Sequence, residues 1–336
     1  MHFKLVPDQT EIPFTRWRML AFLMSALLLV ASVFLVMTRG LNLGIDFRGG
    51  VEIELTDDQP LNTGEIRAAV LDLALGDVKV QGVKDTATGA LSSVIVTLEQ
   101  QVVDESAESE IAEQVVDPTK DANESAQGFA AVKVKQALSE LLGDGHEFLR
   151  QDVVGPRVSG ELLRGGITAV VLAIGMMLLY IWFRFEWQFS LGAILALAHD
   201  VTLTLGVFAF TQIDFNLAII AAILTIVGYS MNDTVVVYDR VRENLRKYKK
   251  RDLGEVLDLS INETLSRTMM TSVTTLLVLV ILYFFGGTVL RGFTFAMIFG
   301  VLIGTYSSIF VASPLLLAIG VKRDWNKNEV ATTAEA

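Results

Sequence analysis

Six apolar runs, each long enough to cross the roughly 30 Å of hydrocarbon in a bilayer, restrict this chain more than any other feature. They lie near Trp17–Met37, Ile167–Phe183, Phe189–Phe210, Leu217–Tyr238, Asn262–Phe285 and Phe293–Ile319. A backbone in lipid must satisfy its own hydrogen bonds, so each run reads as a transmembrane helix. The first follows Arg16 and Arg18, as a signal peptide would, but it exceeds an h-region of about 7–15 residues. It also ends in Met37-Thr38-Arg39, with no small-residue cleavage site, and so reads as an uncleaved anchor. The expected fold is a polytopic α-helical membrane protein with six transmembrane helices. Residues 1–16 precede the first helix (17–37), residues 38–166 form one small external α+β domain, helices two to six occupy 167–319, and 320–336 are a tail.

Hydrophobic residues are 52% of the 336 and charged ones 19%, with no cysteine, and mean hydropathy is +0.49. These values exclude a disordered chain, a disulfide scaffold and any thiolate nucleophile or thiolate metal site. Residues 40–165 hold 23 Asp and Glu against 10 Lys and Arg, a net of −13, leaving 15 acids against 17 bases elsewhere. Lys4, Arg16 and Arg18 precede the first span; Arg240, Arg242, Arg246, Lys247, Lys249, Lys250 and Arg251 follow the fourth; Lys322, Arg323 and Lys327 follow the sixth. With six spans these bases share one side, which the positive-inside rule makes cytoplasmic. Both termini are then inside, and the acidic block faces the periplasm of a bacterial inner membrane. The basic run after the fourth span is a topology signal with some attraction to anionic lipid, and no nucleic-acid partner is expected.

Within 38–166, strand-like Val51–Leu55, Val78–Val83, Val94–Leu98 and Glu147–Val154 alternate with helix-like Gly64–Leu75 and Phe129–Leu142. The order β-α-β-β-α-β is that of a ferredoxin-like split βαβ unit. Residues 100–127 carry eight carboxylates and few large apolar side chains, so they read as a mobile acidic insertion. No calcium-loop pattern occurs there, and neither a metal nor a cofactor is expected.

Asp200 and Asp233 stand inside apolar runs. An aspartate at a helix centre costs roughly 2.5–3.5 kcal/mol on insertion scales, so such residues tend to face protein or water and to carry protons or ions. The fifth span begins polar, with Arg267, Thr271, Thr274 and Thr275 at helical spacing on one stripe. Asp233 is about 8 Å from the end of its span and Arg267 about 8 Å from the start of its own, so their depths match. An opposite charge at that level holds a carboxylate ionised, and breaking the contact lets it take up a proton, which is what a protonation switch needs. Asp200 lies about 17 Å into its span and differs in depth from Asp233 by about 9 Å. His199 beside it points about 100° away and reads as a helix-packing donor. Ala296, Gly300, Gly304, Ser308 and Ala312 recur at every fourth position of the sixth span and read as a packing stripe.

Two long motifs carry a resemblance: Gly44-Ile45-Asp46-Phe47-Arg48-Gly49-Gly50, and Gly228-Tyr229-Ser230-Met231-Asn232-Asp233-Thr234 with Asp239-Arg240-Val241-Arg242-Glu243-Asn244 downstream. With Leu265-Ser266-Arg267-Thr268 and His199-Asp200-Val201 in the same order, the chain resembles the SecF family over roughly Arg16 to Val321. Members of that family are the smaller half of the SecD–SecF accessory complex of the bacterial protein-export translocase. The resemblance implies half of a resistance-nodulation-division type fold, completed by SecD, and a non-enzymatic role beside the SecYEG translocon. Proton or sodium flow would help pull SecA-delivered preproteins outward. It further implies that Asp233 and Arg267 are a proton-relay pair, with Asp200 a nearby helper and Thr271, Asn232 and His199 in support. The acidic insertion looks longer than the family's external domain needs.

Rival readings are weaker. An intramembrane aspartyl protease would show Gly-x-Gly-Asp, whereas Gly228 and Asp233 are five apart. A six-span half is too small for a complete small-molecule exporter, and the absence of Gly-x-x-x-x-Gly-Lys-[Ser/Thr] removes nucleotide hydrolysis as an energy source. The serious alternative is a passive scaffold that only stabilises its partners.

Overall fold

The computed structural model describes residues 7, 10–84, 91–99 and 122–321. The chain divides into two compact units, one of Met1–Leu41, Val170–Ile213 and Ala218–Ala336, the other of Asn42–Ala169 with Asp214–Leu217.

The first unit is a helical bundle built on α1 (Arg18–Arg39), the end of α4 (Pro156–Arg184), α5 (Trp187–Thr211), α6 (Leu217–Lys247), α7 (Leu253–Phe285) and α8 (Gly287–Ser307). A π-helical segment, Ser308–Ala312, joins α8 to α9 (Ser313–Ile319). Among the described residues, six helical stretches are long and apolar enough to cross a membrane, and they extend past the apolar runs: α6 reaches Lys247 and α7 starts at Leu253. α5 and the last span are the most buried, at 56% each, and α4 the least, at 11%, so α5, α6 and the last span form the inner layer. Close approach there depends on missing side chains. A Cβ on Gly300 would meet Ile226 at 2.3 Å, one on Gly304 would meet Ser230 at 3.0 Å, and one on Gly206 would meet Ser32 of α1 at 2.1 Å. The stripe of small residues on the last span therefore packs on α6. Its regular spacing stops at the π segment, where Pro314 cannot donate a backbone bond and the ladder loosens. Tyr238 donates to the Ala312 carbonyl at 2.9 Å and Ser313 Oγ to the Ser308 carbonyl at 2.8 Å, so the carbonyls of the disturbed turn are satisfied.

The second unit is a four-stranded antiparallel sheet in the order β2-β3-β1-β4, from β1 (Gly50–Asp57), β2 (Val78–Lys84), β3 (Leu91–Glu99) and β4 (His146–Val154). With α2 (Thr63–Leu71) and α3 (Ala122–Leu142) between strands, this is the expected β-α-β-β-α-β order. Alternation puts Val51, Ile53 and Leu55 of β1 wholly inside, against Val94, Val96 and Leu98 of β3. The helices close that face with Ile66, Val70, Ala131, Val134 and Leu138. Two boundaries differ from expectation. α2 stops at Leu71, because the chain turns through Ala74 (φ 54) and Gly76 (φ 86) to enter β2. α3 starts at Ala122, so the last residues assigned to the acidic insertion are helical, with Ala126 and Gln127 buried; residues 100–121 lie outside the described residues.

The Gly44–Gly50 motif is the entry to β1. Gly44 N–H donates to the Phe215 carbonyl at 2.9 Å, and Phe215 N–H to the Asn42 carbonyl at 2.7 Å. Asp46 accepts from the backbone N–H of Leu217 at 2.9 Å, supplying an acceptor to the first turn of a helix, where N–H groups lack partners. Phe47 packs on Phe215, while Arg48 is exposed. Gly49 (φ 75) and Gly50 (φ 131) make the sharp turn, and a Cβ on Gly50 would sit 2.2 Å from the Leu98 carbonyl. Asp214 is tied to Asn42 at 2.6 Å and to Lys79 at 2.8 Å. Around these residues lies a cavity of about 320 Å³ whose wall includes Arg48, Glu52, Lys79 and Asp214. Burial raises the Glu52 carboxyl above its ordinary value; Arg150 opposes this, and Asp214, Asp152 and Asp46 add to it.

Gly50→Ala should therefore cost roughly 1–3 kcal/mol from backbone strain alone, before the clash with Leu98. Amide hydrogen exchange of β1 and β3 in the full chain should quicken; unchanged protection would refute the close approach. For Glu52, a carboxyl raised in the folded state favours folding below its ordinary value of 4.5, and that contribution is lost as pH climbs through the raised one. Glu52→Gln should then slow exchange in β1 relative to wild type at about pH 7 and leave it nearly unchanged at about pH 4. Equal effects at both pH values would show that Glu52 does not titrate with folding.

Candidate functional site in the helical bundle

Two carboxylates occupy the inner layer of the bundle. Asp200, 1% exposed, projects from α5; Asp233, 9% exposed, projects from α6. Asp200 Oδ2 accepts from Ser230 Oγ of α6 at 2.5 Å and from Ser307 Oγ of α8 at 2.7 Å, and its Oδ1 is 2.9 Å from His199 Nδ1. Asp233 Oδ1 accepts from Thr268 Oγ1 of α7 at 2.5 Å, and its Oδ2 from Ser308 Oγ. Ser307 and Ser308 are consecutive residues at the junction of α8 with the π segment, and each serves a different carboxylate. Each has a second acceptor in its own turn: the Gly304 carbonyl lies 3.2 Å from Ser307 Oγ and the Thr305 carbonyl 3.1 Å from Ser308 Oγ.

The expected depth match holds, but the residue in contact changes. Thr268, next to Arg267 in sequence, reaches Asp233 directly, so Arg267 stands at the level of Asp233. Arg267 nevertheless sits on the exposed face of α7, with no hydrogen bond or ion pair to Asp233 among the described residues, and acts on it only through space. Thr268, 1% exposed, takes the direct contact because neighbouring residues point about 100° apart. Asn232, Thr271 and Thr274 are exposed as well, and Thr271 donates to the Thr268 carbonyl at 3.0 Å.

Three further expectations need correction. His199, read as a helix-packing donor that need not share a proton with Asp200, forms a side-chain hydrogen bond with it. His199 is 3% exposed, and its Nε2 has no hydrogen-bond partner among the described residues. Asp200 binds Ser230, three residues from Asp233, so the two carboxylates differ in level by about one helical turn rather than about 9 Å. Depths counted from helix ends assume parallel helices that start at one level, which these do not. Finally, Ser308 of the small-residue stripe is a ligand of Asp233 as well as a packing residue. In the sequence Ser230 and Thr268 stand only as members of longer motifs and Ser307 belongs to none; the signal that finds Ser307 is a Ser-Ser pair inside an apolar run, six residues ahead of Ser313-Pro314.

The family model for the C-terminal region of SecD/SecF protein export membrane proteins matches residues 133–322, and the model for the SecD/SecF GG motif matches residues 34–60. The protein translocase subunit SecF of Rhodobacter capsulatus is 44% identical over 97% of this chain and 94% of its own. A protein translocase subunit SecDF of Brucella abortus is 42% identical over 95% of this chain, which spans only 38% of that longer protein. A crystal structure of SecDF, a translocon-associated membrane protein from Thermus, superposes with a TM-score of 0.77 at 32% identity, over 94% of this chain and 39% of that one. The superposition covers nearly the whole chain, the two family models span both motifs, and the chain belongs to the SecF family of protein translocase subunits.

Proposed function

We propose that this chain is the ion-driven, non-enzymatic SecF half of a SecD–SecF assembly in the bacterial inner membrane, with both termini cytoplasmic and residues 38–166 periplasmic. One observation carries the reading: two carboxylates buried in an apolar bundle and held by hydroxyls, with His199 beside Asp200 and, among the described residues, no salt bridge to lysine or arginine. An ionised carboxylate is costly in such surroundings. A hydroxyl ligand tolerates either state, because it donates to the carboxylate and accepts from the acid. When Asp233 takes up a proton its own O–H becomes a donor. Ser308 then turns its hydrogen to the Thr305 carbonyl, already within 3.1 Å, and accepts from the acid. Ser307 next to it holds Asp200 and has the same option at Gly304, so a change at one carboxylate reaches the other through one peptide unit. The π segment starting at Ser308 is the kind of local irregularity found at functional sites.

In this reading Asp233 is the main proton carrier, Asp200 with His199 is the helper, and Arg267 biases Asp233 from the face that SecD completes, with Asn232 and Thr271 beside it. Proton or sodium flow then powers the conformational change that helps move preproteins outward, after the SecA stage and beside SecYEG. The cargo follows from family membership alone.

Asp233→Asn should assemble normally yet abolish gradient-stimulated export into vesicles carrying the chain with its partner, because the amide stays in a state resembling the protonated acid. A proton crossing 100 mV supplies about 2.3 kcal/mol, close to a 50-fold bias. Arg267→Leu should fail too, while Arg267→Lys, which keeps charge without the planar fork, should retain part of the rate. If the Asn variant exports at the wild-type stimulated rate, Asp233 is structural and the passive-scaffold reading takes over. Ser308→Ala should slow stimulated export without lowering recovery of the assembled complex, and an unchanged rate would remove the serine from the relay.

A further inference from the structure

Where α4 ends and α6 continues past the apolar run, six charged side chains line one open cavity of about 620 Å³: Arg184, Asp239, Arg242, Glu243, Arg246 and Lys247. Four are cationic and two anionic, and the acids are already engaged. Glu243 accepts from Arg240 at 2.6 Å, a residue outside the cavity wall. Asp239 takes Arg184 on both oxygens at 3.0 Å and has Arg242 at 3.9 Å. The cavity is therefore left with an excess of positive charge.

Two of its guanidinium groups are held in place by one ring. Phe185 has Arg184 5.1 Å and Arg242 5.5 Å from its centroid, so two like charges are kept together. Arg242 Nε is buried without a hydrogen-bond partner among the described residues. A buried guanidinium N–H with no acceptor is costly, and an anion with several oxygens is the partner that arginine forks fit. The surroundings narrow the anion's class. Trp182, Phe183 and Trp187, next to Arg184 in sequence, are 62%, 81% and 53% exposed. Large aromatic residues at the end of a membrane span sit at headgroup level. A cationic cavity at the end of a helix whose neighbouring residues in sequence are exposed aromatics suits a ligand that is anionic at one end and apolar at the other.

We propose that this cavity binds the phosphate of an anionic phospholipid, with the acyl chains running along α4. The leaflet, but not the site, rests on the orientation proposed above. Basic pockets between membrane helices hold lipid headgroups by the same charge excess.

The test uses the detergent-purified full chain with its partner, and reads the thermal shift produced by short-chain phosphatidylglycerol, short-chain phosphatidylcholine, inorganic phosphate and poly-glutamate. It needs no membrane orientation and no export, so its failure is distinct from failure of the relay reading. Phosphatidylglycerol should stabilise the complex well above the other three. Its affinity should fall about fivefold for each charge removed in Arg246→Gln with Lys247→Gln, both exposed positions that leave folding intact, and again in Arg242→Gln. Equal stabilisation by phosphatidylcholine, an equal effect of free phosphate, a stronger effect of poly-glutamate, or wild-type affinity in the variants would each overturn the assignment.

Discussion

A carboxylate among apolar helices must take its hydrogen bonds from side chains that neighbouring helices bring to it, and hydroxyls on one-carbon stems reach only a short way. Asp200 draws hydroxyl donors from α6 and α8, and Asp233 from α7 and the π segment. The backbones therefore have to come close, which is why Gly304 lies against Ser230 and Gly300 against Ile226. Widening any of these contacts by a methyl group would both disturb packing and strand a buried polar atom, and the second penalty is about 1–3 kcal/mol for each. Packing and polar contacts in this bundle are one arrangement.

The spans and the order of the sheet domain were legible because each rests on periodicity: long apolar runs for the helices, alternation at Val51, Ile53 and Leu55 for the strand. Asp200 and Asp233 were legible because charge in an apolar run is expensive. Their ligands were not. Ser308 reads as one more small residue in a fourfold stripe, and Ser307 falls outside the stripe altogether. Depth arithmetic found the right level on α7 but could not choose between Arg267 and Thr268, which share that level and differ by about 100° around the axis. Likewise, the rotation between His199 and Asp200 describes Cα–Cβ directions, and side-chain torsions were enough to bring Nδ1 to Oδ1.

The Gly44–Gly50 motif was legible only as a motif. Its physical content is distributed: Gly50 has no room for a side chain against the Leu98 carbonyl, and Asp46 serves the N–H of a residue 171 positions away. No local pattern signals a partner at that separation. Spacing between chemically suited residues carries information only when the elements between them have already been placed.

Arg267, Thr271 and Thr274 form an exposed polar face on a helix otherwise suited to lipid. A copy of the chain left alone in a bilayer would hold a guanidinium on a face otherwise suited to hydrocarbon, a position that insertion scales penalise. The penalty disappears once another helix covers that face. Orphan copies are thus distinguishable from assembled ones by their own surface.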